Sequence, residues 1–214
     1  MSPRNTSRKK RELRTPCRKP ELGYYFIITD TEKTEACYLT GVRNSIPKEL
    51  QDKLVIKVKH ARTKDLVDEA LNQASLHPVY GQIWIVLDRD KVKNFDDIIR
   101  RAEKKGIRVG WSNPCIETWL NAYYGSMPVC DGEVASVACC ERFEKEFEKH
   151  TNQKYDKADE RIYQKLKSTG DEAKAIRIAE ERLEKQKRDG VKIPSKMLYT
   201  TRLHELVREI REKV

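Results

Sequence analysis

From Gly23 onward the chain alternates short, almost wholly apolar runs with longer stretches whose apolar residues recur every three or four positions. Tyr24-Tyr25-Phe26-Ile27-Ile28-Thr29 predicts a buried first strand, and a helix is expected from about Glu32 to Thr40. Leu54-Val55-Ile56-Lys57-Val58 predicts a second strand. Lys64 to Leu76 then places Leu66, Val67, Ala70, Leu71 and Ala74 at helical spacing. Gln82-Ile83-Trp84-Ile85-Val86-Leu87 is nearly all apolar, as a central parallel strand covered on both faces should be. A helix over Phe95 to Lys105, closed by Gly106, leads to a fourth strand at Ile107 to Trp111. Asn113-Pro114 would supply an N-cap and a first-turn proline to a helix running through Trp119 and Leu120. This β-α-β-α-β-α-β-α order predicts an α/β fold: an open, mostly parallel sheet flanked by helices, with right-handed crossovers.

After Tyr124 the pattern changes. Gly125, Pro128 and Gly132 mark a connection, and residues 141–214 read as charged helices with no strand pattern. Arg142 to His150 repeats Phe143 and Phe147 at i and i+4. Asp171 to Lys187 aligns Ala175, Ile178, Ala179 and Leu183, and Arg202 to Arg211 aligns Leu203, Leu206, Val207 and Ile210. The expected organisation is a basic arm over residues 1–21, an α/β domain over 22–140, and a helical extension over 141–214 packed on it.

Composition narrows the function classes. The 214 residues include 44 Lys+Arg against 34 Asp+Glu, a formal charge of +10. No apolar run approaches the ~20 residues of a bilayer span, and no apolar stretch follows the basic start. A cytoplasmic protein is therefore expected. Residues 1–20 hold Arg4, Arg8, Lys9, Lys10, Arg11, Arg14, Arg18 and Lys19 against the single acid Glu12, so most of the net charge sits there. The segment has two readings: an arm lying along nucleic-acid phosphates, or a solubilising tail. The six cysteines form no C-x-x-C pair, and the four histidines lack metal-finger spacing, so buried free thiols are expected rather than disulfides or zinc.

The acids fall at informative places. In an open α/β sheet, ligands bind beyond the carboxyl ends of the strands. Asp30 ends the first predicted strand, with Glu32 and Glu35 just after it, and Asp88 and Asp90 end the third. Several uncompensated carboxylates in one crevice raise one another's pKa unless a cation is bound, and a hard, oxygen-seeking Mg²⁺ or Mn²⁺ is the natural counterweight. Taken singly, the same acids could cap or charge-complement their helices.

Asp30-Thr31-Glu32-Lys33-Thr34-Glu35, Leu87-Asp88-Arg89-Asp90 and Ser112-Asn113-Pro114-Cys115-Ile116-Glu117-Thr118-Trp119-Leu120 together resemble the RloB-like (AbiLii-type) proteins. Tyr155-Asp156-Lys157 and Tyr199-Thr200-Thr201-Arg202-Leu203-His204-Glu205-Leu206-Val207 extend the resemblance over about residues 22–210. It implies a Toprim-like domain, the metal-dependent catalytic fold of topoisomerases, primases and OLD-type nucleases. It also implies cleavage of nucleic-acid phosphodiester bonds, DNA or RNA, in bacterial anti-phage or restriction loci, often beside an ATPase.

Residue by residue, Asp88 and Asp90 match the Toprim Asp-x-Asp metal ligands. The Toprim glutamate, normally followed by glycine, falls on Asp30-Thr31, one methylene shorter and without the glycine. Asp30 is thus expected as a ligand, with Glu32 or Glu35 available for an acid/base or metal role. Glu117 either reaches the crevice or serves its helix dipole. Lys33 and Arg89, beside these acids, either contact phosphate or pair with a neighbouring carboxylate, and Arg8, Lys9, Lys10 and Arg11 are the expected nucleic-acid contacts of the arm. Alternatives to a nuclease are a catalytically weak nucleic-acid-binding or effector subunit regulating a partner ATPase, and a primase-like polymerase. A homo-oligomer is possible on this reading.

Overall fold

The computed structural model describes residues 20–76, 81–90, 92–129 and 135–214. The arm expected over residues 1–21, including Arg8, Lys9, Lys10 and Arg11, falls outside them except for residues 20 and 21. Four strands, β1 (Gly23–Thr29), β2 (Leu54–His60), β3 (Gln82–Asp88) and β4 (Arg108–Asn113), form parallel ladders in the order β2-β1-β3-β4. The helices α1 (Thr34–Asn44), α2 (Leu66–Leu76) and α3 (Phe95–Lys104) are the crossovers between them. The chain therefore belongs to the α/β class, with an open, mostly parallel sheet flanked by helices. Because β1 is followed to one side by β2 and to the other by β3 and β4, the strand order reverses between β1 and β3.

The strands are apolar throughout because both faces of the sheet are covered. Tyr25, Ile27, Trp84 and Val86 point into one core with α1 and α4 (Glu117–Ala122). Also in that core are α5 (Ala135–Thr151), α6 (Ile162–Thr169), α7 (Glu172–Arg188) and α8 (Leu203–Arg211). Phe26, Ile28, Ile85 and Leu87, the alternate residues, meet α2 and α3 in the other core. Each such fully buried Ile, Leu or Phe contributes about 1.5–3 kcal/mol. The helical extension thus shares the core of the sheet, and α5 runs through the boundary expected at 140.

Four local expectations are corrected. Asn113 does not cap a helix: it is the last residue of β4, and its Nδ2 donates to the Pro194 and Ser195 carbonyls at 3.0 and 3.1 Å. The helix begins instead at Glu117. Likewise α1 begins at Thr34, leaving residues 30–33 as a loop over the carboxyl end of β1. The region after 141 is not strandless, since β5 (Thr200–Thr201) adds antiparallel to β4 through Ser112↔Thr201 and Asn113↔Thr200. The short helix α6 was not anticipated; it has only Ile162, Tyr163 and Leu166 to bury. Among the described residues, no helix is long and apolar enough to cross a membrane.

Gly41 permits α6 to lie directly on α1: a Cβ there would stand 2.3 Å from the Cβ of Tyr163. Gly41→Ala should gain about 1 kcal/mol of helix propensity. It must also push the two backbones apart, an overpacking cost of about 1–3 kcal/mol. The clash is with an atom fixed to the backbone, so the cost should win and the urea midpoint should fall. A raised midpoint would show that α1 and α6 can separate freely.

Candidate functional site

The strand-order reversal puts the carboxyl ends of β1 and β3 side by side, where open α/β sheets bind ligands. Asp30 follows β1, and its N–H still reaches across to the Val86 carbonyl at 3.1 Å. Asp88 is the last residue of β3 and pairs with Ser112 of β4. The chain after it is held against the β4–α4 connection, Arg89 N–H donating to Ser112 O and Asp90 N–H to Pro114 O, each at 2.9 Å. Both aspartates are therefore mounted on rigid backbone.

Asp88 Oδ2 accepts the Ile116 N–H at 2.9 Å, at the entry to α4. Its Oδ1 is buried and has no hydrogen-bond partner among the described residues, and Asp30 Oδ1 is in the same condition. Glu35, in the first turn of α1 and only 4% exposed, accepts a 2.5 Å hydrogen bond from the Thr31 hydroxyl. These groups face a cleft of about 350 Å³ whose lining also includes Asp90, Glu117 and Lys157.

The electrostatics divide this cleft in two. Burial, and then the charge of Glu35, pushes the Asp30 carboxyl up to about 7. Burial raises Asp88 well above the usual carboxylate range, helped by Glu35, Asp30 and Glu117. Glu117, next to the Ile116 that Asp88 contacts, is 1% exposed, and burial alone would raise it too. It is instead held below its ordinary value by the Lys157 ammonium 3.3 Å away and by hydrogen bonds that include the Tyr155 hydroxyl at 3.0 Å. Among the described residues Asp30 and Asp88 have no ion-pair partner, whereas Glu117 has Lys157.

Of the expected site residues, Asp30, Glu35, Asp88, Asp90, Glu117 and Lys33 line this cleft, Asp90 and Lys33 from exposed positions at its rim. Glu32 does not. It is exposed and turned toward His60 at the end of β2, with Oε1 2.7 Å from Nδ1. Arg89 is not part of the lining either; its guanidinium donates to the Asp90 carbonyl at 2.8 Å. Neither side chain lines the cleft in this arrangement.

The sequence model of the RloB-like proteins matches residues 25–210. The chain belongs to the RloB-like family. No curated protein and no solved structure matches it. The span shared with the RloB-like family holds the whole cleft, from Asp30 to Lys157.

Lys157, Tyr155, Cys115 and Cys140 were not expected as site residues. Tyr155 and Lys157 lie in one of the segments that carried the family resemblance, but their spacing from Glu117 pointed to no pairing. The thiols are 25 residues apart, without a ligand motif. Cys37, Cys115, Cys139 and Cys140 are free thiols among the described residues, in keeping with the sequence reading.

The raised Asp30 pKa fixes the sign of a pH effect. In chelator, folded Asp30 keeps its proton up to about pH 7, whereas the unfolded side chain loses it from pH 3.8. Its contribution to stability is therefore complete below 3.8 and falls as pH rises toward about 7. The wild-type urea midpoint should accordingly lose ground relative to Asp30→Asn across that window. If wild type gained ground instead, burial would not be the dominant influence on Asp30.

Proposed function

We propose that this RloB-like chain is a Mg²⁺- or Mn²⁺-dependent nuclease with a Toprim-type site. On this reading it cleaves phosphodiester bonds of DNA or RNA in bacterial anti-phage defence, inside the cytoplasm. The observation that carries the reading is the pair of buried, unpartnered carboxylate oxygens on Asp30 and Asp88 at adjacent strand ends. A buried polar atom without a partner costs about 1–3 kcal/mol. Hard divalent ions take such oxygens as ligands, so the donor set fits.

Asp30, Asp88 and the rim residue Asp90 would hold the ion, with Glu35 within the same cleft. When bound, the ion would polarise the scissile phosphate and lower the pKa of a water. Thr31 orients Glu35 by donating its hydroxyl, and Tyr155 with Lys157 keeps Glu117 charged and fixed. Lys33, exposed at the rim, is placed to meet phosphate oxygens, and the basic residues of the N-terminal arm would add salt-dependent affinity. Partners on this reading are nucleic acid and, through the family resemblance, a neighbouring ATPase.

Purified chain with mixed DNA and RNA in Mg²⁺ or Mn²⁺ should show cleavage that Asp88→Ala reduces by about 10²-fold or more, as loss of a transition-state electrostatic contact does. Undiminished cleavage in that variant would remove Asp88 from the chemistry. Complete inactivity of the wild type with every metal and substrate would favour the effector-subunit reading, which the short carboxylate at position 30 supports.

Position 30 offers a sharper discrimination. If Asp30 acts as a ligand, Asp30→Asn should lower the apparent Mn²⁺ affinity as well as turnover, whereas Asp30→Glu should retain activity. Glu32→Gln, altering a residue turned toward His60, should be mild. A severe Glu32→Gln with a mild Asp30→Asn would transfer the role to the glutamate.

A further inference from the structure

Beside Asp88, on the β4–α4 side of the cleft, a second group of donors converges, with Cys115 and Glu117 flanking the Ile116 whose N–H Asp88 accepts. Cys115 Sγ and Cys140 Sγ are 4.0 Å apart. Together with a Glu117 carboxylate oxygen, the two sulfurs form a cluster whose ligand atoms all lie within 4.8 Å of one another. The cluster is built from three rigid mounts: Cys115 in the β4–α4 connection, Glu117 at the start of α4, and Cys140 on α5. Cys115 and Glu117 are buried at 6% and 1% exposure.

We infer that Cys115, Cys140 and Glu117 form a second metal site in the wall of this cleft, one that takes a soft or borderline divalent ion of the Zn²⁺ class. Metal–sulfur bonds of about 2.3 Å at an angle of roughly 110–120° put two sulfurs about 3.8–4.0 Å apart, the separation found here. Thiolate donors select Zn²⁺-like ions over Mg²⁺ or Mn²⁺, which prefer an all-oxygen set such as that of the aspartates. The three protein ligands all line the cleft, so a fourth position would open toward it, as in sites that keep a water or substrate ligand.

A separate observation marks this spot as one that favours positive charge. The Lys157 ammonium already lies 3.3 Å from Glu117 Oε1 and 3.7 Å from Cys140 Sγ. Its side chain is 51% exposed, so it can withdraw into solvent. Metal and ammonium are therefore alternative occupants. Loading the site replaces Lys157 by the ion, and each cysteine releases its proton to the solvent on forming its metal–sulfur bond. The inference goes beyond the nuclease reading and does not depend on it.

The test is a Co²⁺ titration of the reduced, full-length chain, followed by thiolate-to-cobalt charge-transfer absorption and reversed by Zn²⁺. One equivalent should saturate the signal. Loss of an outer-shell partner commonly weakens a metal site about 10–100-fold, so loss of a ligand in Cys140→Ser should weaken Co²⁺ binding by about 100-fold or more. Asp30→Asn should leave the charge-transfer signal intact, separating this site from the carboxylate one. Lys157→Met should tighten binding, because the competing ammonium is gone. Cys140 is only partly buried, so its serine variant should fold even if Cys115→Ser does not, and a thermal melt checks this. No charge-transfer band, or a band unchanged in Cys140→Ser, would overturn the site and leave two thiols merely in packing contact.

Discussion

The parallel pairing of β1 with β3 is the constraint on which the rest of the site depends. Register from Tyr25↔Gln82 to Thr29↔Val86 aligns the two strands. The next residues on each chain, Asp30 and then Asp88 two positions past Val86, emerge together at the point where strand order reverses. Neither strand can shift without moving its apolar set to the wrong face, because the side-chain period is two. The cores on both faces therefore hold the two carboxylates in one crevice, and the stability of the sheet offsets the cost of burying them. On the proposed nuclease reading, the two buried oxygens left without hydrogen bonds are the preformed place for a cation.

That cost explains why the surroundings of Glu117 are built differently. Glu117 stands as deep as the aspartates, yet it has an ammonium and a phenol of its own. With Glu117 also unpaired, five carboxylates without a cation partner among the described residues would face one cleft. Pairing Glu117 with Lys157 removes one of them. Tyr155 and Lys157 also tie the α5–α6 connection to the start of α1: Tyr155 hydroxyl lies 3.0 Å from Thr34 Oγ1, and Thr34 donates to the Lys157 carbonyl at 3.1 Å.

How far the sequence could be read follows the same physics. The four parallel strands were legible because both of their faces are buried, which leaves long apolar runs with few alternatives. Asp30 and Asp88 were legible because they stand directly behind such runs. Asn113-Pro114 misled because the pair has the composition of a helix cap, while tertiary pairing with Thr200 draws Asn113 into the sheet. The partner strand, two threonines at the far end of the chain, carries no periodicity to announce itself. Lys157 escaped for a related reason. Its role depends on meeting Glu117 across 40 positions of sequence, and no local pattern encodes that meeting.

The helical extension consequently belongs to the chemistry of the cleft as much as to its shelter. It provides Tyr155 and Lys157, and α5, which leads into it, carries Cys140, while β5 and α8 brace β4 from the other side through the Ser112–Thr201 hydroxyl pair and the Arg202 N–H to Trp111 carbonyl bond. An α/β unit ending at α4 would keep Asp30 and Asp88 but leave Glu117 buried without its cation. Burial would then raise Glu117 as it raises the aspartates, and the contrast between the unpaired aspartates and the paired Glu117 would disappear. The charge pattern of the site is therefore a property of the sheet and the extension together, and neither segment specifies it alone.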